Sequence, residues 1–284
     1  MVKAFIPGEK YPALSITGGS CTLRCKYCMG HYLKGMIPTK SPKLLYDTVR
    51  SLYRNGARGI LISGGFNPEG RLPIKPFLRV IRGLKRDFDI VISVHCGLVD
   101  RKAAGELRRA GIDVVDYEFM IDPLVISEVV GLKSRKPSDF IESLRYLVEE
   151  GPPYISPHVP IGLRYGKIWG EWKAIERLRD FNPYLVVFLV FVPTRGTPMS
   201  SVSPPKETEV VAVLNHARSS FREVAMGCMR PPRFKSTLDP KLLEQKLVDR
   251  IAVPHKSVVE KYRLEVIHAC CSIPHELIDK YFTD

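Results

Sequence analysis

The sequence predicts an α/β fold in which short parallel strands alternate with helices around a nearly complete (βα)8 barrel. Apolar runs rich in β-branched residues alternate with helical patterns over most of the 284 residues. Such alternation favours a parallel sheet whose crossover connections share one hand. The run 185–191 (LVVFLVF) is apolar at every position, as is typical of a parallel strand covered on both faces. Because the pattern recurs almost to the end of the chain, at least eight strands are expected.

Each predicted strand is short and is followed by a helix. In chain order the predicted strands are 14–17, 59–63, 90–94, 114–119, 154–161, 185–191, 223–226, 250–253 and 264–267. The predicted helices are 42–54, 76–86, 101–110, 139–149, 171–180, 207–219, 240–247 and one that begins at 256. Ser41 (followed by Pro42), Asp100 and Ser138 offer side-chain oxygens at three helix starts, so we expect them to be N-caps.

Glycines and chemically active residues follow several of these strands. They are Gly64-Gly65, His95-Cys96-Gly97, Glu118, Gly162, the turn 193–198 and Cys228. Active sites of (βα)8 barrels lie at the carboxyl ends of the strands. The sequence therefore places its candidate site at this face. No linker or low-complexity segment is evident, which predicts one barrel domain over residues 1–284.

The composition is that of a globular protein with a basic surface. Hydrophobic residues make up 45% and charged residues 26%, and no apolar run approaches the roughly 18 residues of a membrane span. With no signal-peptide pattern at the N-terminus, a cytoplasmic location and no membrane partner are expected. One Gln and four Asn beside 23 Pro are typical of thermophilic proteins.

The net charge of +13 indicates an acidic partner or a solvated basic surface. The basic residues are spread singly over predicted helix faces, and no arginine-rich arm or aromatic–basic stripe is evident. Nucleic-acid binding usually shows such features, so the sequence argues against it. An acidic protein and a solvated basic surface without a partner both stay open at this point.

Three of the seven cysteines, Cys21, Cys25 and Cys28, follow a glycine-rich turn after the first predicted strand. Three thiolates on one loop can hold three corners of a [4Fe–4S] cluster and leave its fourth iron open, whereas structural zinc sites supply four ligands. A structural zinc knuckle is the alternative interpretation of these three cysteines. The spacing C-x3-C-x2-C with Tyr27 before the third cysteine resembles the radical S-adenosylmethionine (SAM) superfamily. That resemblance implies that SAM binds the open iron and is cleaved to a 5′-deoxyadenosyl radical, which abstracts hydrogen.

The same resemblance implies where SAM is held. Ser63, Gly64 and Gly65 end the second predicted strand at the place where the superfamily binds the amino group of SAM, although Phe66 stands where many members have Glu. Glycine allows close approach of the backbone. His95 and Glu118 end the next two strands and are candidates for contacts to ribose or methionine; satisfying strand-end backbone is the alternative. His158, inside a strand, is expected to be a core or loop histidine.

A second cysteine group lies in the C-terminal part, at about 222–284. Cys228 stands in MGCMRP, and Cys270 and Cys271 follow the last predicted strand. Adjacent cysteines rarely pair with each other because the disulfide is strained. Converging thiols at the catalytic face predict an auxiliary [4Fe–4S] cluster, with inert buried thiols as the alternative.

Five segments narrow the resemblance to the biotin- and lipoyl-synthase branch of the superfamily, and above all to the subunits of the two-component archaeal lipoyl synthase. They are CKYCMGHYLKGM (25–36), VHCGLV (94–99), PHVPIG (157–162), VPTRGTP (192–198) and GCMRP (227–231). The resemblance implies sulfur insertion at C6 and C8 of a protein-bound octanoyl chain, with the auxiliary cluster as the sulfur donor. Cys96 is a candidate fourth ligand, as is Ser272, since bacterial lipoyl synthases place a serine on their auxiliary cluster.

The resemblance also implies partners. They are an octanoylated acidic carrier (a lipoyl domain or a glycine-cleavage carrier protein), a homologous partner subunit and an external electron donor. Thr194, Gly196 and Thr197 in the turn 193–198 are expected to line the substrate or SAM cavity, with a plain βα turn as the alternative. Other functions left open are biotin-type thiolation, tRNA methylthiolation and a non-catalytic iron–sulfur protein.

Overall fold

A computed structural model describes residues 2–283, in which eleven strands form one parallel sheet. The strands are β1 Lys3–Phe5, β2 Ala13–Ser15, β3 Ile37–Pro38, β4 Gly59–Ser63, β5 Val91–Val94, β6 Val114–Glu118, β7 Tyr154–Ile161, β8 Val186–Val190, β9 Val224–Met226, β10 Arg250–Ala252 and β11 Glu265–Ile267. Their order across the sheet is β11-β1-β10-β9-β8-β7-β6-β5-β4-β2-β3. The α/β barrel class predicted from the sequence is confirmed.

The barrel is open, which corrects the expectation of a nearly complete ring. Within residues 2–283 no pairing joins β3 to β11. The sheet is nevertheless curved. Its curvature brings side chains from distant strands into one inner apolar cluster, which includes Phe5, Val91, Leu185 and Ile267. A larger outer cluster fills the space between the sheet and the helices.

Nine α-helices accompany the strands in the described residues. They are α1 Pro42–Arg54, α2 Leu78–Asp87, α3 Arg101–Arg109, α4 Pro137–Glu150, α5 Glu171–Arg179, α6 Glu207–Arg218, α7 Phe234–Glu244, α8 Lys256–Tyr262 and α9 His275–Tyr281. Shorter 3-10 turns occur at Gly8–Lys10, His31–Gly35 and Lys75–Phe77, and a π-helical segment at Val125–Val130. Among these helices none combines the length and the apolarity that a bilayer crossing needs.

Local sequence signals account for two of the predicted helix starts. The Ser41 hydroxyl accepts a hydrogen bond from Leu44 N (3.2 Å), and the Asp100 carboxylate accepts one from Ala103 N (2.9 Å). Such N-caps satisfy amides that have no partner within the helix. The predicted cap at Ser138 is wrong. The helix begins at Pro137 instead, and the Asp139 carboxylate accepts from Lys136 N (2.6 Å).

Helix α7 begins six residues earlier than predicted and contains Pro240 within it. The predicted bounds 240–247 place this proline at the helix start, where its missing N–H costs nothing. In the structure Phe234, Leu238 and Leu242 recur at four-residue spacing and are buried. Burial of this apolar face outweighs the hydrogen bond that the proline cannot donate.

Helix α9, which the sequence analysis missed, covers the amino ends of the strands. The Tyr281 hydroxyl donates to the Asp89 carboxylate (2.6 Å) just before β5. His275 Nε2 lies 2.6 Å from the Glu223 carboxylate just before β9, and Tyr154 at the start of β7 donates to Glu276. The chain therefore passes from β11 along the concave face to the opposite end of the barrel, and residues 268–274 lie inside it.

Candidate functional site

The loop after β2 carries three half-buried thiols, Cys21, Cys25 and Cys28. Cys28 N and Met29 N both donate to Cys25 O (2.9 Å each), and His31 N donates to Cys28 O (2.8 Å). These bonds close successive tight turns. Burial raises the pKa of Cys25, and the nearby Glu118 carboxylate and the other two thiols raise it further. A positive metal centre would relieve that repulsion, because thiolates are the metal-binding form.

Three neighbouring segments hold this loop in place. Lys26 N donates to Val129 O (2.7 Å) in the π-helical segment, and Met199 N, after β8, donates to Lys26 O (3.3 Å). Thr22 N donates to Phe66 O (3.1 Å) beyond β4. The loop is thus fixed by backbone bonds from elements far apart in the sequence, and the thiols need little reorganisation to bind a cluster.

Gly65 allows the cysteine loop to pack against the end of β4. Its amide donates to the Thr17 hydroxyl (2.7 Å), and a Cβ added at this position would lie 2.0 Å from Ser20 O and 2.4 Å from Cys21 Cα. The sequence analysis attributed this glycine to close approach of SAM; the structure shows close approach of the cysteine loop. Ser63 is buried, and its carbonyl oxygen accepts from Ile16 N (2.9 Å). Contacts of Ser63, Gly64 and Gly65 to SAM stay predictions.

We expect Gly65→Ala to displace the cysteine loop and to lower the iron bound at Cys21, Cys25 and Cys28. A methyl group cannot fit 2.0 Å from a backbone oxygen, and overpacking of this kind costs about 1–3 kcal/mol. Gly35→Ala is the matched control, because a Cβ at Gly35 meets nothing within 4 Å. Iron per chain after anaerobic reconstitution measures the effect. Equal iron in the two variants would show that Gly65 does not position the loop.

Tyr27 and Glu118 lie beside the thiols, at the carboxyl ends of the strands. With Cys25, Phe66, Gly97 and Phe140 they line one cavity. Burial raises the pKa of Tyr27, and Glu118, Cys25 and Cys28 raise it further, so the phenol stays neutral. The structure therefore brings together the cysteine triplet, Tyr27 and Glu118, as the sequence predicted they would share a face.

The two histidines of this region differ in their surroundings. The His95 ring contacts the edge of the Phe66 ring, with centroids 5.6 Å apart. His158 pairs with Glu118 in the register of β6 and β7, and its Nδ1 lies 2.9 Å from Ser156 O. Burial lowers the pKa of His158, which favours the neutral ring. A strand histidine of this kind agrees with the structural interpretation given from the sequence.

The turn 193–198 faces the cysteine loop. The Thr194 hydroxyl donates to Val192 O (3.0 Å) and the Thr197 hydroxyl to Thr194 O (2.8 Å), so both hydroxyls stiffen the turn. Gly196 has φ +81°, which a side chain would strain. The Tyr32 hydroxyl lies 3.0 Å from the Thr194 hydroxyl. The turn lies at the predicted end of the barrel, and its contact with substrate or SAM stays a prediction.

Tyr32 connects the two cysteine groups and was missed by the sequence analysis. Burial raises the pKa of its hydroxyl, and Cys28 from the first group and Cys228 from the second both raise it further. One aromatic side chain is thus within electrostatic reach of both groups. Nothing in its spacing distinguishes Tyr32 from an ordinary loop tyrosine; only the folding of β9 beside the cysteine loop reveals it.

Cys228, Cys270 and Cys271 converge on the concave side. Burial raises the pKa of Cys228, and Cys270 raises it further; Cys270, burial and Cys228 together raise the pKa of Cys271. The Cys228 side chain is exposed to solvent, two residues after the end of β9. A hydrogen bond from Cys271 lowers the pKa of Cys270, while burial opposes this shift.

Residues from the amino ends of the strands hold the Cys270–Cys271 segment. The buried Arg250 guanidinium donates to Cys271 O (3.0 Å) and to Ile273 O, and it pairs with the Glu223 carboxylate at 2.6 Å. The Tyr184 hydroxyl donates to Ser272 O. The Ser272 hydroxyl donates to Cys270 Sγ (3.2 Å), so the serine named as a candidate fourth ligand does lie beside the thiols.

Cys96, the other candidate fourth ligand, does not join this group. It belongs to the outer core and lines a cleft between the residues before α2 and helix α3. Burial raises the pKa of its thiol to about 12. Successive strand residues alternate between faces, so His95 points inward and Cys96 outward. This corrects the suggestion that Cys96 binds the auxiliary cluster.

Asp116, in the middle of β6, is a buried acid that the sequence analysis missed. It is 5% exposed, and its Oδ1 has no hydrogen-bond partner. Burial raises its pKa to about 6, with Ser272, His95 and Ser93 opposing the rise. Its charge in turn raises the pKa of Cys271. An unpartnered buried oxygen beside thiols is an additional donor for a metal group.

The donor sets fit iron–sulfur clusters better than a single ion. Across residues 2–283 no three His, Cys, Asp or Glu side chains are close enough to hold one metal ion. A cubane cluster binds each cysteine to a different iron, so its sulfur ligands stand farther apart than those of one tetrahedral ion. Cys21, Cys25 and Cys28 fit a [4Fe–4S] cluster with one open iron. Cys228, Cys270 and Cys271 lie near one another, and Asp116 lies near Cys270 and Cys271.

Comparisons with solved structures agree with this architecture. The crystal structure of methylornithine synthase (PylB) has a TM-score of 0.62 and 14% identity, over 90% of this chain and 73% of that one. The FeFe-hydrogenase maturase HydG from Carboxydothermus hydrogenoformans has a TM-score of 0.63 and 18% identity, over 98% of this chain and 66% of that one. At such identities the likeness shows the fold alone.

Sequence comparisons are more specific. Biotin synthase of Paramagnetospirillum magneticum is 23% identical over 224 residues, which cover 75% of this chain and 67% of that protein. Biotin synthase of Streptococcus agalactiae serotype III is 22% identical over 240 residues, or 78% and 68% of the two chains. The family model of the radical SAM superfamily matches residues 15–165, more than half of the chain and including the cysteine triplet. The chain therefore belongs to the radical SAM superfamily.

Proposed function

We propose that this protein inserts sulfur into a protein-bound octanoyl group, as one subunit of a two-component lipoyl synthase. The observation that carries the proposal is a second group of thiols, Cys228, Cys270 and Cys271; Cys228 follows the carboxyl end of β9, as the triplet follows that of β2. Tyr32 is within reach of both groups. Two thiol groups within reach of one side chain suit a reaction in which a substrate radical must meet a sulfur donor. Similarity to biotin synthases supports thiolation as the class of chemistry.

Each part of the chain has a stated task in this proposal. A bound [4Fe–4S] cluster and SAM would supply the radical that removes hydrogen at C6 and C8, and a second cluster would supply sulfur. Cys21, Cys25 and Cys28 bind the first group, and Glu118 and Tyr27 line the adjacent cavity. Arg250 holds the Cys271 backbone, so it fixes the second group relative to the strands. An external electron donor completes the reaction.

The decisive experiment is anaerobic reconstitution followed by mass spectrometry of an octanoyl-lysyl peptide incubated with SAM and reductant. We expect sulfur-containing product. Incubations with and without a homologous partner subunit are compared side by side. SAM cleavage without any sulfur incorporation in either arm would contradict the proposal.

Biotin-type thiolation is the second candidate, because the curated relatives are biotin synthases. A parallel incubation with the sulfur-free precursor of biotin distinguishes the two. Thiolation of that small acid, with the octanoyl peptide left unchanged, would favour the second candidate and remove the first.

A further inference from the structure

The loop between β7 and α5 presents an aromatic and cationic surface beside the cysteine loop. We call it the Trp169 surface; its residues are Arg164, Tyr165, Lys167, Trp169, Trp172 and Lys173. Trp169 is 43% exposed and Trp172 36%, and they are the only two tryptophans of the chain. Exposed large aromatics are enriched at protein interfaces, where they supply most of the binding energy. Both tryptophans therefore need an explanation that packing does not provide.

The charges at this surface are predominantly positive. The Arg164 guanidinium lies 4.5 Å and the Lys173 ammonium 5.1 Å from the centre of the Trp169 ring, and Lys167 is exposed. Among the acids nearby, Glu176 is exposed and follows Lys173 by three residues on α5. Asp122 is buried and lies 3.4 Å from Arg164, Glu171 is buried, and Glu128 faces Lys26. These cations and aromatics all lie within residues 164–173, so this short stretch of sequence is the exception to basic residues that stand singly elsewhere.

The loop is rigid before any partner binds. The buried Glu171 carboxylate accepts hydrogen bonds from Gly162 N and Trp169 N, each at 2.8 Å. A Cβ at Gly166 would lie 2.0 Å from Ser203 O, so the loop packs directly on the segment before α6. A preformed surface loses little conformational entropy on binding, which favours affinity.

The Trp169 surface is joined to the cysteine loop. Lys26, between Cys25 and Tyr27, donates from its ammonium to the Tyr165 hydroxyl (3.0 Å). The Lys26 carbonyl accepts from Met199, just after the turn 193–198, in which Arg195 is exposed. A protein docked on the Trp169 surface would therefore lie beside the mouth of the candidate site.

We propose that the Trp169 surface is the docking site of an acidic protein domain that carries the substrate to the cysteine loop. Rim cations speed association with an acidic partner, and Trp169 anchors the complex. RNA fits less well, because cations already lie over the Trp169 ring on which a base would stack, and the cluster is compact rather than a groove that follows a strand. The identity of the partner as a substrate carrier rests on the proposed function.

The test compares Trp169→Ala and the double variant Lys167→Glu/Lys173→Glu with the wild-type protein. The probe is an acidic lipoyl-type domain bearing octanoyl-lysine, and its Kd is measured by calorimetry. We expect each variant to weaken binding about ten-fold or more, as for interface hot spots, and wild-type binding to weaken as salt rises. Thiolation of the free octanoyl-lysyl peptide should not change, because these side chains lie outside the cysteine site. Lys75→Glu/Lys102→Glu, two exposed lysines near α2 and α3, is the matched control and should bind normally.

The two proposals fail in different ways. If neither the octanoyl-lysyl peptide nor the octanoylated domain is thiolated, the proposed function fails. If binding of the domain is lost only in the Trp169-surface variants, the docking proposal is still supported. A wild-type protein that binds no acidic domain, or variants that bind as tightly as the control, would overturn the docking proposal. So would a single-stranded RNA oligonucleotide that binds this surface more tightly than the domain does.

Discussion

Replacing Cys21, Cys25 and Cys28 together by Ala is expected to abolish formation of 5′-deoxyadenosine from SAM. These three thiols lie on one loop and are the candidate ligands of the cluster that leaves one iron open to SAM. Without them no other described side chain could hold a cluster at the end of β2. The product is measured by chromatography after anaerobic reconstitution with iron, sulfide and reductant.

The control for this variant replaces Cys228, Cys270 and Cys271 by Ala and leaves the first three cysteines in place. We expect it to keep cleaving SAM, because the first loop is fixed by bonds to Val129, Met199 and Phe66 rather than by the second thiol group. Persistence of 5′-deoxyadenosine in the first variant would show that the triplet does not bind the catalytic cluster.

Cys228→Ala is expected to lower the bound iron to about half, as one of two four-iron clusters loses a ligand. SAM cleavage should continue, uncoupled from product, while formation of thiolated octanoyl peptide ends. Electron paramagnetic resonance of the reduced protein should correspondingly keep one cluster signal. The physical reason is that Cys228 and the Cys270–Cys271 pair come from two separate segments, so neither can hold a four-iron cluster alone.

Cys96→Ala provides the comparison for Cys228. Its thiol lies in the outer core, whereas Cys270 and Cys271 belong to the inner cluster, so the variant should keep the full iron content and the thiolation activity. Full iron in Cys228→Ala would mean that the three C-terminal thiols are structural, and the sulfur-insertion proposal would then fail. Loss of iron in Cys96→Ala would contradict the separation of the two faces described above.

Local features of this protein were predictable because they depend on neighbours in the sequence. Strands β4 and β7 and helix α1 have the predicted bounds. Ser41 and Asp100 cap their helices through contacts only three residues away. The cysteine triplet is equally local, since three thiols within eight residues lie on one loop whatever the rest of the chain does. Its spacing predicted the superfamily, which the family model confirms.

Only the tertiary structure decided which distant residues meet. In the sequence Asp116 is indistinguishable from an ordinary acid in a strand. Only the fold places Ser272 and the Cys270–Cys271 segment, more than 150 positions later, beside it. Helix α9 leaves the last cysteines inside the barrel because its polar side chains bind the amino ends of β5, β7 and β9.

The same limit explains the errors. Cys96 and His95 are adjacent in the sequence but lie on opposite faces, since a strand alternates its side chains and the curved sheet separates its two sides. Pro240 signals a helix start, yet burial of Phe234 and Leu238 carries α7 through it. Spacing along the chain therefore determined the cluster-binding loop and the barrel class, whereas burial and long-range contacts decided what surrounds that loop.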